Sequence, residues 1–441
     1  MAVKEKWRSG MGFALAAAGS AVGLGNLWGF AYRASQGGGA AFLLLYIIIV
    51  CLVCLPVLVA EMVLGRSTGK SPLLAPVSFA NERWKPMGFL FVVASCGILS
   101  FYAVLMGWTA HTLIHSIFFG LPVDMPSAEK FFQGLSTGKS VLLGQVLSLF
   151  LTGSVVAAGI KGGIERLTRW CMPLLFFLLA VLALWAATLP GAMEGYKTFL
   201  LRWDIQELLN PTTVRNAFTQ AFFSIGTGIG CILAYSAYLD SQNKIPREAI
   251  AVVGMDTSVG LLAGMITFPV VMSFGLKDVV TSSTVGTLFI SLPTGLSSLG
   301  VTGQIVAILF FFLAYIAALT SSISLLEVPV ASLIDKLGWK RSKSVWVSSF
   351  LIFITGLPAA LDLKTLGRMD AIFGGILLVF GGLLLTILLG WIFPRKFDLD
   401  LSNCNTSKPI RTSLKFMLRW ISPPVICFGL IVSIYDLIYS W

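Results

Sequence analysis

Charged side chains are scarce in this chain, and their scarcity excludes an ordinary soluble domain. Asp, Glu, Lys and Arg make up only 12% of the 441 residues, whereas soluble domains carry about 25%. Apolar residues make up 56%, and the mean hydropathy is +0.88. Apolar runs long enough to cross a bilayer recur along nearly the whole sequence. The composition therefore predicts a single polytopic α-helical membrane domain, residues 1–441, in contact with the lipid bilayer.

Residues that carry enzyme chemistry are also sparse. The chain has two histidines and seven cysteines, and most of the cysteines lie inside apolar runs, where we interpret them as small core residues. We find no nucleophile–base arrangement, Walker loop or dinucleotide motif. The sequence therefore does not predict an enzyme.

The apolar runs predict eleven membrane spans. Lys and Arg concentrate in alternate loops, those on the side of the N-terminus, so we predict a cytoplasmic N-terminus and an outside C-terminus. The net charge of +11 then reflects membrane topology, and no nucleic-acid partner is expected. The spans are predicted at about 11–34, 40–65, 88–119, 141–159, 171–190, 213–239, 249–274, 301–334, 342–361, 369–394 and 416–439.

Glycine-rich breaks interrupt two of these spans, at residues 20–26 and 224–230. Unwound backbone at membrane depth must face polar partners, and each break exposes a carbonyl pole and an amide pole. The alternative is close helix packing of the GxxxG type. The glycines here recur every second residue, so they do not share one helix face. The breaks therefore predict a secondary transporter that binds solute and ions where they meet.

Polar residues in apolar surroundings add further candidates. Asp256 is the deepest carboxylate and a functional candidate, whereas Glu61 and Glu327 lie near span ends and suit structural pairing. The hydroxyls of Thr320 and Ser321 bond either to their own helix or across to span 1. Between spans 7 and 8, the apolar stretch 288–293 forms either a short helical lid or a loop.

Six segments occur in a characteristic order: Ala21–Trp28, Pro56-x4-Glu61-x3-Gly65-Arg66, Tyr102-x5-Trp108, Gln220–Ser224, Tyr235–Tyr238 and Leu319–Ser322. With them, the chain resembles the bacterial branch of the neurotransmitter:sodium symporter family over nearly its whole length. The resemblance implies an all-α leucine-transporter fold with inverted repeats at about 11–190 and 213–394 and a peripheral helix at about 416–439. It also implies the plasma membrane of a bacterium. No oligomeric state follows from it.

The resemblance implies two sodium sites, each built from oxygen ligands. The first would use Ala21, Asn26, Ser224 and Asp256, and the substrate carboxylate would complete it. The second would use Gly19, Val22, Ala317, Thr320 and Ser321. Because relatives that need chloride have a neutral residue at the position of Asp256, chloride-independent transport is expected.

The substrate implied by the resemblance is a neutral L-amino acid, hydrophobic or aromatic in its side chain. Glycine at position 23 leaves room for the substrate's carboxylate, and glycine at position 226 widens the cavity. The expected binding residues are Ala21, Gly23, Gly25, Ile98, Tyr102, Phe223, Ser224, Gly226, Ile229, Ser321 and Leu325.

The gates implied by the resemblance include one departure from the family pattern. An inner latch would join Lys4 to Asp335, with Trp7 as a plug. A Gly163-x9-Pro173 motif would allow span 5 to unwind. The outer gate would use Asp370, but Gly29 replaces the usual arginine, so Arg33, one turn away, or a bridging Gln220 is expected to serve.

Two alternatives to an amino-acid importer stay open at this point. One is a sodium symporter of another small carboxylated solute. The other is a sensor or leak channel on the same fold, for which the altered outer gate is the hint.

Overall fold

The computed structural model describes residues 5–202, 204–240, 243–275 and 287–439, and most of them are helical. Within these ranges, nine helices are long and apolar enough to cross a membrane, and a bent helix pair makes a tenth span. In chain order, the bent pair is Gly10–Ala21 with Gly25–Gln36 (span 1), followed by Ala40–Thr68 (2), Glu82–Phe118 (3), Ser140–Ala157 (4), Ile160–Ala186 (5), Ile245–Phe274 (7), Val301–Leu337 (8), Arg341–Leu361 (9), Leu363–Ile392 (10) and Lys408–Tyr435 (11).

Span 6 is divided into two helices, Pro211–Ile225 and Cys231–Ser236. Each half is shorter than a membrane crossing, which is why this predicted span does not qualify as one long helix. Three glycines in the intervening segment have left-handed φ angles of 65°, 98° and 82° at Gly226, Gly228 and Gly230. Because residues with a Cβ rarely adopt these angles, the glycines end one half and begin the other.

Span 1 breaks where the sequence predicts. Its first half ends at Ala21, and Val22 leaves the helix with an extended ψ of 112°. The second half begins at Gly25 with a π-helical turn, and the two halves are bent by 68°. Both predicted breaks are therefore confirmed.

The broken spans lie inside the bundle. Span 8 packs along span 3 and also contacts spans 1, 4, 5 and 9. Large apolar side chains on the outer faces of spans 4 and 9 are exposed, as expected for lipid contact, and examples are Leu143, Phe150 and Phe350. The core of the bundle thus surrounds the breaks, and its outside is apolar.

The start of span 5 differs from the prediction, and the structure decides between the two alternatives for the segment between spans 7 and 8. Span 5 begins at Ile160 instead of about residue 171, because a π-helical turn at Ile160–Ile164 runs directly into Glu165–Ala186. Gly163 and Pro173 therefore lie in wound helix. Between spans 7 and 8, Leu288–Ser297 is helical, which confirms the helical alternative for this segment.

Candidate functional site

A cavity of about 60 Å³ lies where the two breaks meet. Ten of the eleven predicted substrate-binding residues line it; Ser224 does not, because it belongs to a polar cluster beside the cavity. The predicted residues that line the cavity are Ala21, Gly23, Gly25, Ile98, Tyr102, Phe223, Gly226, Ile229, Ser321 and Leu325.

Glycines in span 1 create the space in this cavity. A Cβ at Gly23 would lie 2.9 Å from the Tyr102 Oη and 3.0 Å from the Ser321 Oγ, and one at Gly25 would lie 2.5 Å from the Phe223 ring. The Tyr102 hydroxyl accepts the N–H of Leu24 at 3.3 Å, so it is held against the break. Any side chain at position 23 or 25 would therefore displace the cavity wall.

Phe223 separates this cavity from a second one, which Arg33 and Asp370 line. The second cavity, of about 130 Å³, shares Gly25, Tyr102 and Phe223 with the first. The aromatic ring therefore closes the first cavity on that side.

Asp256 is the centre of a buried polar cluster next to the cavity. Its carboxylate accepts from the Ser224 hydroxyl at 2.6 Å, from the Asn26 amide nitrogen at 2.6 Å and from the Tyr46 hydroxyl at 3.3 Å. All four side chains are fully or almost fully buried. The cluster brings together three of the four residues expected at the first sodium site and adds Tyr46.

The amide of Asn26 is oriented with its nitrogen toward the cluster. The nitrogen donates to both Asp256 and Ser224, while the amide oxygen accepts the N–H of Gly23 at 3.1 Å. The expectation that the amide oxygen faces a cation thus requires the amide to rotate. The positive end of the amide dipole here satisfies the carboxylate, because donors are what a buried carboxylate needs.

The Ser321 hydroxyl lies among the backbone oxygens of the residues expected at the second sodium site. Its hydroxyl lies 2.8 Å from the Val22 carbonyl and 3.3 Å from the carbonyls of Gly19 and Ala317. The Thr320 hydroxyl lies 2.9 Å from the Ala317 carbonyl. All five residues expected at the second site therefore meet between spans 1 and 8, and the Ser321 hydroxyl bonds across to span 1.

Glu61 binds the break of span 6 from outside the cavity. Its carboxylate accepts the N–H of Gly228 at 2.9 Å and that of Leu233 at 3.2 Å. Glu327 is buried and pairs with Arg341 and the Tyr238 hydroxyl. Both acids are paired as the structural interpretation expects.

Arg33 lies at the outer cavity but pairs with a neutral partner. It donates to the Gln220 side-chain oxygen, and Gln220 in turn donates to the Gly25 carbonyl at 3.2 Å. Asp370 lines the same cavity, yet no ion pair within 4.0 Å joins it to Arg33 among the contacts of the described residues. Arg33 thus lies beside Gly29, 3.5 Å from where a Cβ at that position would be, and Gln220 links it directly to the span 1 break.

The inner latch is only partly within the described residues, because Lys4 lies outside them. Asp335 forms an ion pair with Lys70 at 3.5 Å and accepts the N–H of Ser71 at 3.0 Å. Trp7 is buried and donates its indole N–H to the Tyr235 carbonyl at 2.9 Å. The Trp7 ring therefore covers the inner half of span 6, as a plug would.

Sequence reasoning missed four lining residues, Ser20, Cys231, Ser324 and Leu378. Two of them carried a signal. Ser20 begins the predicted span 1 break, and Ser324 follows Ser321 by three residues and so shares a helix face with it.

Comparisons with known proteins agree with this architecture. The sequence model of the sodium:neurotransmitter symporter family matches residues 4–133 and 127–439. An uncharacterized sodium-dependent transporter of Bacillus subtilis, YhdH, is 34% identical over 439 residues, with 95% of each chain covered. A second one, from Methanocaldococcus jannaschii, is 32% identical over 408 residues and covers 88% of this chain and 82% of its own.

Two further relatives carry more specific descriptions. The sodium-dependent nutrient amino acid transporter 1 of Drosophila melanogaster is 28% identical over 424 residues, covering 81% of this chain and 65% of its own. The crystal structure of MhsT in complex with L-phenylalanine superposes with a TM-score of 0.88 at 34% identity, covering 98% of this chain and 100% of MhsT.

The match to MhsT confirms the leucine-transporter fold expected from the sequence. The family model covers nearly the whole chain, and the resemblance stated from the motifs is confirmed with it. This multi-pass membrane protein therefore belongs to the sodium:neurotransmitter symporter family.

Proposed function

We propose that this protein is a sodium-coupled symporter that imports neutral, hydrophobic or aromatic L-amino acids by alternating access. The observation that carries the proposal is the Ser321 hydroxyl, which lies within 3.3 Å of carbonyls on both sides of the contact between spans 1 and 8. It stands beside a cavity whose wall is formed by two helix breaks.

The second sodium would bind among the oxygens around Ser321. Sodium is a hard cation that prefers oxygen ligands, and three carbonyls and two hydroxyls supply about five of them. The residues are Gly19, Val22, Ala317, Thr320 and Ser321. Because they belong to two spans, a cation here would hold the first half of span 1 against span 8.

The first sodium would bind at the Asp256 cluster. Asp256 supplies a full negative charge, Ser224 a hydroxyl and Ala21 a carbonyl, and Asn26 contributes its oxygen after the amide rotates. The substrate's carboxylate would complete the shell beside the Tyr102 hydroxyl. Direct contact between substrate and sodium makes each raise the other's affinity, which is the coupling that symport needs.

The substrate class follows from the cavity lining. Ile98, Phe223, Ile229 and Leu325 surround the side chain with apolar atoms, and an ionised side chain there would lose its hydration without a partner. Gly226 has open space around its Cβ position, which leaves room for a large side chain. MhsT, solved with L-phenylalanine, supports an aromatic substrate.

Asp256 also argues for chloride independence, since its carboxylate supplies the negative charge that chloride would otherwise provide. We place the protein in the plasma membrane of a bacterium, with a cytoplasmic N-terminus. The outer closure would use Phe223 with Arg33, Gln220 and Asp370. The inner closure would use Trp7, Asp335 and the N-terminal segment that contains Lys4.

Uptake into proteoliposomes tests the proposal. Purified protein is reconstituted, and radiolabelled L-phenylalanine uptake is measured with an inward sodium gradient, with an equal potassium gradient and with sodium plus an ionophore that collapses the gradient. We expect concentrative uptake only with the sodium gradient. Sodium flux without accumulation of any amino acid would instead identify a leak channel, and accumulation of a non-amino-acid carboxylate would identify another symporter.

A further inference from the structure

One end of the central cavity is polar, although the rest of its lining is mostly apolar. Ser20, Cys231 and Ser324 line this end, and we call them the polar floor. Ser20 belongs to the first half of span 1, Cys231 begins the second half of span 6, and Ser324 is three residues beyond Ser321 in span 8. Neither proposed sodium site uses any of the three.

The hydrogen atoms of the two hydroxyls in the polar floor are both committed within the protein. The Ser324 oxygen lies 2.8 Å from the Ser321 carbonyl, and because a carbonyl has no hydrogen, Ser324 is the donor. The Ser20 oxygen lies 2.7 Å from the Ser324 oxygen, so this second hydrogen comes from Ser20. The two donors thus form a relay that ends on the backbone.

The two hydroxyl oxygens can still accept hydrogen bonds from a ligand. A hydroxyl oxygen has two acceptor positions besides its one hydrogen. Ser324 uses one of its positions for Ser20, so one position remains at Ser324 and two remain at Ser20. The Cys231 thiol lies against both hydroxyls and is itself only a weak donor and acceptor.

We infer that the polar floor recognises a hydrogen-bond donor on the substrate's side chain, and that it favours an indole N–H or a phenol O–H over an unsubstituted ring. The inference rests on the proposed function and narrows its substrate class. The floor accepts and does not donate, so a side chain that ends in an acceptor gains nothing there. Ser324 is almost fully buried, so an apolar ring placed against it leaves its free lone pair without water.

Two ligands of nearly the same shape measure the contribution of a hydrogen-bond donor on the substrate's side chain. L-tryptophan and 3-benzothienyl-L-alanine have similar shapes, but sulfur replaces the indole N–H in the second. Each is tested as a competitor of sodium-driven L-leucine uptake in proteoliposomes, and the ratio of inhibition constants is compared. We expect tryptophan to bind at least about tenfold more tightly in the wild type, the size of one net hydrogen bond left unmade.

Serine-to-alanine variants then test whether the polar floor causes the difference between the two inhibition constants. Ser20→Ala removes two acceptor positions but frees the one that Ser324 used for Ser20, and Ser324→Ala leaves both positions of Ser20. Only the double variant Ser20→Ala/Ser324→Ala removes every hydroxyl acceptor of the floor. In the double variant, the ratio should fall toward one because tryptophan weakens while benzothienylalanine does not. Ser332→Ala is the matched control: this hydroxyl lies on the same span, bonds to the Val328 carbonyl at 2.7 Å and does not line the cavity, so the ratio should not change.

Equal inhibition by the two ligands in the wild type would overturn the inference, and that comparison needs no variant to fold. A high ratio that survives in the double variant Ser20→Ala/Ser324→Ala would overturn it as well. In either case sodium-driven leucine uptake would still support the proposed function. Absence of sodium-driven uptake of any amino acid would instead overturn the proposed function, and this inference with it.

Discussion

Neutralising Asp256 gives the sharpest test of the first proposed sodium site. The Asp256→Asn variant keeps the size of the side chain but removes its charge and turns one acceptor oxygen into a donor. In the present structure the carboxylate accepts from Asn26, Ser224 and Tyr46. The Asn variant therefore leaves a cation without a formal counter-charge and leaves some of these donors without an acceptor.

The expected loss of sodium affinity follows from the burial of Asp256, whose side chain is fully enclosed. Two unit charges about 4 Å apart attract by about 4 kcal/mol at an effective dielectric constant of about 20. A loss of this size corresponds to a roughly 10³-fold weaker affinity. We therefore expect the sodium concentration for half-maximal uptake to rise beyond the range in which the wild type works.

Chloride replacement supplies the second half of the assay. Uptake is measured at increasing sodium with either chloride or gluconate as the anion, for the wild type and the variant. The wild type should be indifferent to the anion, whereas Asp256→Asn should recover uptake only with chloride, which would supply the missing negative charge near Tyr46, Gln220 and Ser224. Asp362→Asn, the same change at an exposed helix cap outside the cluster and the cavities, is the control and should keep its sodium dependence. A variant with wild-type sodium dependence in gluconate would refute the reasoning.

Three further predictions test the second site, the cavity and the inner half of the bundle. Ser321→Ala should raise the half-saturating sodium concentration by about tenfold, because it removes one oxygen ligand. Ser322→Ala is the control and should not raise it, because the Ser322 hydroxyl bonds to its own helix and to span 4. Equal sodium curves for the two variants would contradict the assignment. Gly23→Ala should abolish amino-acid binding measured by thermal shift, since the added methyl would lie 2.9 Å from a phenol oxygen, while the protein still elutes as a folded species. Glu327→Gln should destabilise the fold by about 3–5 kcal/mol because it leaves Arg341 charged and poorly paired in a buried place, and an unchanged melting temperature in detergent would contradict this.

The sequence was most informative where a backbone constraint and a chemical need coincide. Two-residue glycine spacing predicted the breaks, and in span 6 all three glycines adopt left-handed angles that other residues avoid. The hydroxyl of Ser321 was expected to bond either to its own helix or across to span 1, and it lies 2.8 Å from the Val22 carbonyl. Such features depend on local backbone geometry and on the order of motifs, both of which a single sequence contains.

The partners of flexible or symmetric groups could not be predicted in this way. The amide of Asn26 fits two orientations that differ by a rotation, and the surrounding donors and acceptors decide between them. Arg33 was expected to reach Asp370 or to be bridged by Gln220 through water; it bonds to Gln220 directly, and the same glutamine donates to the Gly25 carbonyl. Lys70, from the end of span 2, reaches Asp335 through a tertiary contact that no local pattern marks.

The carboxylate of Glu61 affects the orientation in which a zwitterion can bind. By taking the amides of Gly228 and Leu233, Glu61 neutralises the electropositive start of the second half of span 6. At the corresponding start in span 1, the printed partners of the free amides are neutral: the Asn26 side-chain oxygen accepts the N–H of Gly23, and the Tyr102 hydroxyl accepts that of Leu24. The two repeats, related by inversion, are thus electrically unequal, and a bound amino acid would be oriented by that inequality, acid group toward the first repeat and ammonium toward the second.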